Sequence, residues 1–283
     1  MPELPEVETI ARTLEPLIQG AYIKEAYLHL NCTLDATGTG SLDLSLLKGR
    51  EIECVRRRGK LLLINLRPIT GTNDEAHILA IHLKMTGRVF VYDDTYPLQK
   101  HTRFHLLLEH NGLKKQLFFD DSRTFGYVRL ISPNSLKTWP FWQNLGLEPL
   151  EHKANTLAQC YINKKAGIKS LLLNQSLVVG IGNIYADEAL FKARISPKQR
   201  AVNINEHRLI ELMQAVQKVL KLSIEQCGSS IRDYRDAHGD AGSFQNSFFV
   251  YGRSGENCKI CNQKLHSERV AGRNTVWCEN CQP

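Results

Sequence analysis

Apolar residues recur at helical spacing at the start of the chain: Val7, Ile10, Ala11, Leu14, Leu17 and Ile18, with Gly20 placed to end the last turn. This predicts an opening helix with one apolar face. From Ala21 to about Ile131 the pattern changes to short apolar runs between turn residues, at 52–55, 61–66, 78–83, 89–92, 104–108, 117–119 and 127–131. Seven such runs predict an antiparallel β-sandwich or barrel. Ser132-Pro133-Asn134-Ser135 reads as a linker. After Pro149 the helical period returns, over 155–162, 168–175, 183–193 and 207–226, with breaks at Pro197 and at Cys227-Gly228-Ser229-Ser230. The tail from about Gly239 is rich in Gly, Ser, Asn and Cys and has too few apolar residues to build a core unaided. The predicted class is therefore α+β in three parts: an N-terminal helix with a β-sandwich over 1–133, a helical part over 134–238, and a cysteine-bearing tail over 239–283. No internal repeat or low-complexity tract is present.

Composition narrows the class. With 42% apolar and 23% charged residues in 283, the chain can fill a sizeable core, and wholesale disorder is excluded. The formal net charge of +7 points to a polyanionic partner. The acidic N-terminus does not carry a signal peptide, and no apolar run is long enough to span a membrane, so a cytosolic protein is expected. In that compartment eight cysteines argue for a metal site or free thiols over a disulfide framework.

Four of those cysteines carry the strongest chemical signal. Cys258-Lys259-Ile260-Cys261 and Cys278-Glu279-Asn280-Cys281 form two CxxC pairs separated by sixteen residues, the spacing at which two knuckles supply four thiolates to one tetrahedral Zn2+. Four thiolates leave no open position, so the ion is structural. The connection carries His266, Arg269, Arg273 and Asn274, basic and polar residues able to enter a nucleic-acid groove; a ribbon serving only as a fold element is the plainer account. Cys32, Cys54, Cys160 and Cys227 are scattered and read as packing residues.

The opening Met1-Pro2-Glu3-Leu4-Pro5-Glu6 holds a second signal. Removal of Met1 leaves Pro2 with a free secondary amine, a nucleophile towards a carbonyl-type carbon, with Glu3 and Glu6 close by in sequence. Taken alone it is an ordinary helix start, with Pro5 in the first turn and Glu6 complementing the helix end. Several later segments are equally two-sided. Arg56-Arg57-Arg58-Gly59-Lys60 is a basic turn that can place Lys60 against a phosphate or simply in solvent. Met85, in His82-Leu83-Lys84-Met85-Thr86-Gly87, can wedge into a base stack or fill a core. In Asp120-Asp121-Ser122-Arg123-Thr124-Phe125-Gly126, Arg123 can bond base edges and Phe125 can stack, or the segment is a plain surface turn. In Gly180-Ile181-Gly182-Asn183 two glycines permit close backbone approach and Asn183 can cap the following helix, leaving N–H groups for a phosphate. Ser229, Ser230, Arg232 and Arg235 can line a loop near an anion or stand in solvent.

Together these segments resemble the formamidopyrimidine-DNA glycosylases, within the wider family that includes endonuclease VIII. The match runs in family order through Pro2–Glu8, Arg58-Gly59-Lys60, Gly180–Ala186, Arg232-Asp233-Tyr234, Phe244-Gln245, Val250–Arg253, Gly272–Thr275 and the paired CxxC motifs. The resemblance implies a helix on a β-sandwich forming a catalytic domain, then a helix–two-turn–helix domain, then a zinc finger. It implies a monomer acting on damaged double-stranded DNA in the bacterial cytoplasm at the nucleoid. The implied activity is bifunctional: excision of oxidised purines such as 8-oxoguanine and formamidopyrimidines, then strand cleavage by β,δ-elimination through a Schiff base on Pro2. It further implies Glu3 and Glu6 as acid/base or positioning groups and Lys60 as a catalytic phosphate contact. Met85, Arg123 and Phe125 are implied to fill the gap left by a flipped nucleotide, and Lys169, Asn183 and Arg273 to bind DNA. One departure is visible: Lys84 stands where the family usually has Gly, and is strained if that position needs positive φ, though it can add a phosphate contact. Rival readings are an endonuclease VIII-type enzyme for oxidised pyrimidines, a non-catalytic DNA-binding protein, and a zinc-ribbon transcription or translation factor.

Overall fold

The computed structural model describes residues 2–30, 43–71, 74–231 and 234–283. Cys32, Arg232 and Asp233, named above, and Met1 lie outside the described residues. In chain order the elements are α1 (Leu4–Ile18), β1 (Tyr22–Leu28), β2 (Ile52–Arg58), β3 (Leu61–Leu66), β4 (His77–His82), β5 (Gly87–Asp93), β6 (Thr102–His110), β7 (Leu113–Asp121), β8 (Tyr127–Ile131), α2 (Pro133–Thr138), α3 (Pro140–Gln143), α4 (Ala154–Gln159), α5 (Ile168–Leu172), α6 (Asn183–Lys192), α7 (Glu206–Glu225), β9 (His266–Val270) and β10 (Arg273–Trp277). The class is the predicted α+β.

The chain divides into two compact units. The first holds residues 1–2, 6–143 and 227–242. It is built on two antiparallel four-stranded sheets, ordered β1-β6-β7-β5 and β2-β3-β4-β8. Their inner faces share one core: Ile23, Val89, Phe104, Leu106 and Phe119 from one sheet, and Val55, Leu62, Ile64, Leu79 and Ile81 from the other, with Val7, Ile10 and Leu14 of α1. The apolar face read from the first residues is thus the face that α1 buries. The outer face of the second sheet is covered by α2 and α3, where Trp139 packs on Leu61, Leu63, Ala80 and Ile131. The linker expected at 132–135 is the start of α2: Ser132 accepts the Ser135 N–H and Pro133 takes the first turn, a regular N-cap with proline.

The second unit holds residues 3–5, 144–226 and 243–283. Its main core packs α4, α5, α6 and α7, with Leu157, Leu172, Tyr185, Leu190, Leu212, Val216 and Leu220 buried. Phe191 of α6 enters a smaller core with Val250, Leu265, Val276, Cys258 and Cys278. Strands β9 and β10 pair in a hairpin whose two loop residues, Ala271 and Gly272, both have positive φ (51° and 71°), as a type I′ turn requires.

These units differ from the expected boundaries at 133/134 and 238/239. Residues 227–242 join the first unit because they are bonded into it: Ser229 to Glu6, Tyr234 to the Glu6 carbonyl, Ala237 N–H to Thr13, and Val91 N–H to the Ala237 carbonyl. The cysteine tail joins the helices because α6 supplies part of its core.

Candidate active-site and DNA-contact residues

In the first unit Pro2 is buried. Glu6, 1% exposed, accepts hydrogen bonds from the N–H (2.9 Å) and hydroxyl (3.1 Å) of Ser229. Ser229 therefore fastens a carboxylate near the N-terminus, and its backbone and side chain are not offered to an outside anion. Lys60 sits in the two-residue turn between β2 and β3, after Gly59 at φ +56°, the positive φ that a type II′ hairpin needs at its first central residue.

Two loops of this unit run side by side between the sheets. His82 pairs with Tyr127 in one sheet, and Gly87 pairs with Asp121 in the other. The β4–β5 connection carrying Met85 and the β7–β8 connection carrying Arg123 and Phe125 span the same gap. Met85 is 39% and Phe125 53% exposed, so both apolar side chains face water, and the Arg123 guanidinium lies 4.8 Å from the Phe125 ring centre. Lys84 has φ +48°, the left-handed conformation in which its glycine replacement matters; its N–H donates to His82 Nδ1 at 3.0 Å and its ammonium lies 5.4 Å from the Tyr127 ring centre.

In the second unit Glu3, 3% exposed, accepts the N–H of Ile184 at 3.1 Å. It sits at the N-terminal end of α6, where free N–H groups and the helix dipole favour an anion. The glycines before α6 have a different task from the one expected. A Cβ on Gly180 would meet Leu4 at 2.5 Å, and one on Gly182 would meet the Glu3 carboxyl carbon at 2.3 Å. They admit the start of the chain. Asn183 does not cap α6: Gly182 holds the cap position, and the Asn183 amide donates to the Asn274 carbonyl of β10 at 2.9 Å. Lys169 is fully buried, donating to Asp187 at 2.5 Å and to the Thr275 hydroxyl at 2.6 Å. Burial lowers the pKa of Lys169, which Asp187 and Glu3 only partly offset, and burial pushes Asp187 up to about 7. Arg273 is exposed at the start of β10.

One face of α6 thus carries the cysteine tail: Asn183 and Asp187 hold β10, Glu188 accepts the N–H groups of Phe249, Val250 and Tyr251, and Phe191 fills the tail's core. Sequence reading missed Asp187 and Glu188; acidic residues in an otherwise apolar helix were the signal available. The Sγ atoms of Cys258, Cys261, Cys278 and Cys281 lie within 4.8 Å of one another, with Cys258–Cys281 at 3.9 Å and Cys261–Cys278 at 3.4 Å. A tetrahedral Zn2+ with Zn–S bonds of ~2.3 Å requires S···S edges of about 3.8 Å, so the four thiolates fit one ion.

The first 128 residues match the family model described as the formamidopyrimidine-DNA glycosylase N-terminal domain, and residues 145–235 match the H2TH domain of the same family. The chain belongs to the formamidopyrimidine-DNA glycosylase family. Formamidopyrimidine-DNA glycosylases of Nitratidesulfovibrio vulgaris and Carboxydothermus hydrogenoformans are each 39% identical over the whole of both chains. Among solved structures, a Lactococcus lactis Fpg mutant bound to Fapy-dG-containing DNA superposes with a TM-score of 0.88 at 32% identity over 99% of each chain. A MutM complex with carbocyclic 8-oxo-G-containing DNA gives 0.87 at 32% identity over the same share. This chain is accordingly a DNA glycosylase that acts on damaged DNA. Among the described residues no helix is long and apolar enough to cross a membrane.

Proposed function

We propose that this enzyme is bifunctional, excising oxidised purines from duplex DNA and then cutting the strand through a Schiff base on Pro2. The observation that carries the reading is the carboxylate immediately after Pro2: Glu3 is buried and held by the α6 amide of Ile184, so the residue beside the amine is a fixed proton carrier. A damaged base is unreachable within the stack, so the nucleotide is flipped out, and exposed Met85 and Phe125 with Arg123 take its place. The Pro2 nitrogen forms a bond to C1′ as the C1′–base bond breaks. Opening of the sugar then gives an iminium. A secondary amine yields a permanently cationic iminium, which draws electrons from C2′, so a C2′ proton is lost and the 3′ phosphate leaves. A second elimination expels the 5′ phosphate. An α-amino pKa near ~8 leaves a useful neutral fraction at pH 7. Glu6 positions the helix start through Ser229, and Lys60 meets a phosphate. Asn183 and Arg273 bind the DNA backbone, with Lys169 supporting that surface from beneath. The four thiolates hold one structural Zn2+ that supplies shape and no reaction step. The enzyme acts as a monomer.

Borohydride trapping with duplexes bearing 8-oxoguanine tests the mechanism. The expected result is a covalent protein–DNA adduct formed only by chains lacking Met1, reduced but detectable in Pro2→Gly, which retains an amine. Efficient trapping by a Met1-bearing chain overturns it. The panel includes oxidised pyrimidines, because a Lactococcus lactis relative has been solved with DNA containing one.

A further inference from the structure

Asp121 lies at the end of β7 and is 1% exposed. Its Oδ1 accepts the hydroxyl of Thr86 and the N–H of Arg123 (3.2 Å), and its Oδ2 accepts the N–H of Gly126 (2.7 Å). The Arg123 N–H also reaches the Thr86 hydroxyl at 3.2 Å. Thr86 follows Met85 in one loop; Arg123 and Gly126 bracket Phe125 in the other. One buried carboxylate therefore collects donors from both loops that carry the proposed void-filling side chains. Two glycines in these loops lie tight against their neighbours. A Cβ on Gly126 would meet Phe119 at 2.7 Å and the His82 carbonyl at 2.9 Å, and one on Gly87 would meet the Leu83 carbonyl at 2.5 Å. Both loops also hold a non-glycine residue at positive φ, Lys84 (48°) and Thr124 (56°), the latter β-branched. Such conformations persist only where surrounding bonds over-determine them.

We infer that Asp121, through Thr86, is a positioning residue that locks the Met85 and Arg123–Phe125 loops into one rigid probe, so that the three side chains enter the emptied stack as a unit. This rests on the void-filling reading above. A carboxylate suits the task because it accepts from several donors and offers none.

The test uses the full-length protein and a duplex with 2-aminopurine beside 8-oxoguanine, whose fluorescence reports loss of stacking as the wedge enters. Thr86→Val removes the hydroxyl at nearly constant shape. It is expected to reduce the fluorescence change and single-turnover excision by roughly tenfold, the scale of one bond to a charged group. Cleavage of a single-stranded oligonucleotide carrying an abasic site, where no stack must be filled, should change less than twofold. Thr86→Ser should restore both duplex signals, and Asp121→Asn should reproduce the loss, because an amide cannot accept from Gly126 while also serving Thr86 and Arg123. Unaltered fluorescence and excision in Thr86→Val overturn the inference, as does an equal loss on the single-stranded substrate. Met85→Ala separates the two ideas. If it lowers the fluorescence change while Thr86→Val does not, void filling stands and the lock falls; if Met85→Ala leaves the signal intact, void filling falls and the lock with it.

Discussion

Lys84 holds a left-handed backbone conformation at φ +48° one residue before Met85. For a residue with a Cβ that conformation costs ~1–2 kcal/mol, while glycine adds ~0.5–1 kcal/mol of unfolded-state entropy. Lys84→Gly should therefore stabilise the protein by up to about 1 kcal/mol in urea unfolding, and Lys84→Val should destabilise it, because β-branching deepens the clash. A loss exceeding 1 kcal/mol in Lys84→Gly would mean that the Tyr127 contact outweighs the strain. The departure from the family pattern was legible as strain because φ preference is a local property. Long-range packing was not. Gly180 and Gly182 looked like phosphate-approach glycines, yet the groups they admit, Leu4 and Glu3, lie almost 180 positions earlier in the chain. Lys169, expected from the family resemblance to bind DNA, is instead fully buried, on a contact with Thr275 that is likewise distant in sequence. Its buried partner Asp187 is on another helix, and loss of either would strand a buried charge.

At the scale of elements, the outer face of the β1-β6-β7-β5 sheet carries a cross-strand row of Tyr27, His105, Phe118 and Phe90. His105 is 6% exposed, and its Nδ1 meets His29 Nε2 at 2.8 Å. Burial, with the charge of His29, lowers the His105 pKa to about 4. Folded His105 thus stays neutral where the unfolded chain, with an ordinary imidazole, takes up a proton near ~6.5. Between those values the unfolded state binds more protons, so stability falls as pH drops from about 6.5 towards 4. His105→Phe should flatten that part of the profile in chemical denaturation at pH 7, 6, 5 and 4.5; an unchanged slope would assign it to other groups. The inner-facing strands were legible because their apolar runs form the sandwich core. β1 was missed: its sequence YIKEAYL places only Ile23 in the fully buried class, and its remaining cohesion comes from pairing with β6. Helix α2 was missed because a serine before a proline signals a turn and an N-cap equally well.

At the scale of the molecule, neither unit is one continuous stretch. The first unit recovers residues 227–242 from beyond the long helix, and the second takes residues 3–5 from the opening of the chain. Apolar periodicity cannot reveal such exchanges, because Ser229–Glu6 and Ala237–Thr13 are polar contacts across more than 220 positions. The cysteine tail, in contrast, was legible to the residue, since four ligands of fixed type at fixed spacing admit few other readings. That tail has very little apolar support: two of the six fully buried members of its core are the ligands Cys258 and Cys278. An ion held by the four thiolates, as proposed above, would supply much of its folding energy. Removing the metal with a chelator should unfold β9–β10, release Asn183 and Asp187 from their β10 partners, and scatter Arg273 and Arg269. Calorimetry should then show one transition lowered or lost, while the sandwich unit, with its separate core, melts within a few degrees of the metal-loaded protein. DNA affinity should fall at least tenfold at ~0.1 M salt, and the slope of log affinity against log salt should shrink by about 0.9 for each phosphate that the tail no longer neutralises. Acidification should release the metal as well, since each thiolate must regain a proton, and Zn2+ release measured with a chromogenic chelator should rise as pH falls. Full DNA affinity with an unchanged salt slope in the stripped protein would remove the tail from the DNA interface and leave it a fold element only.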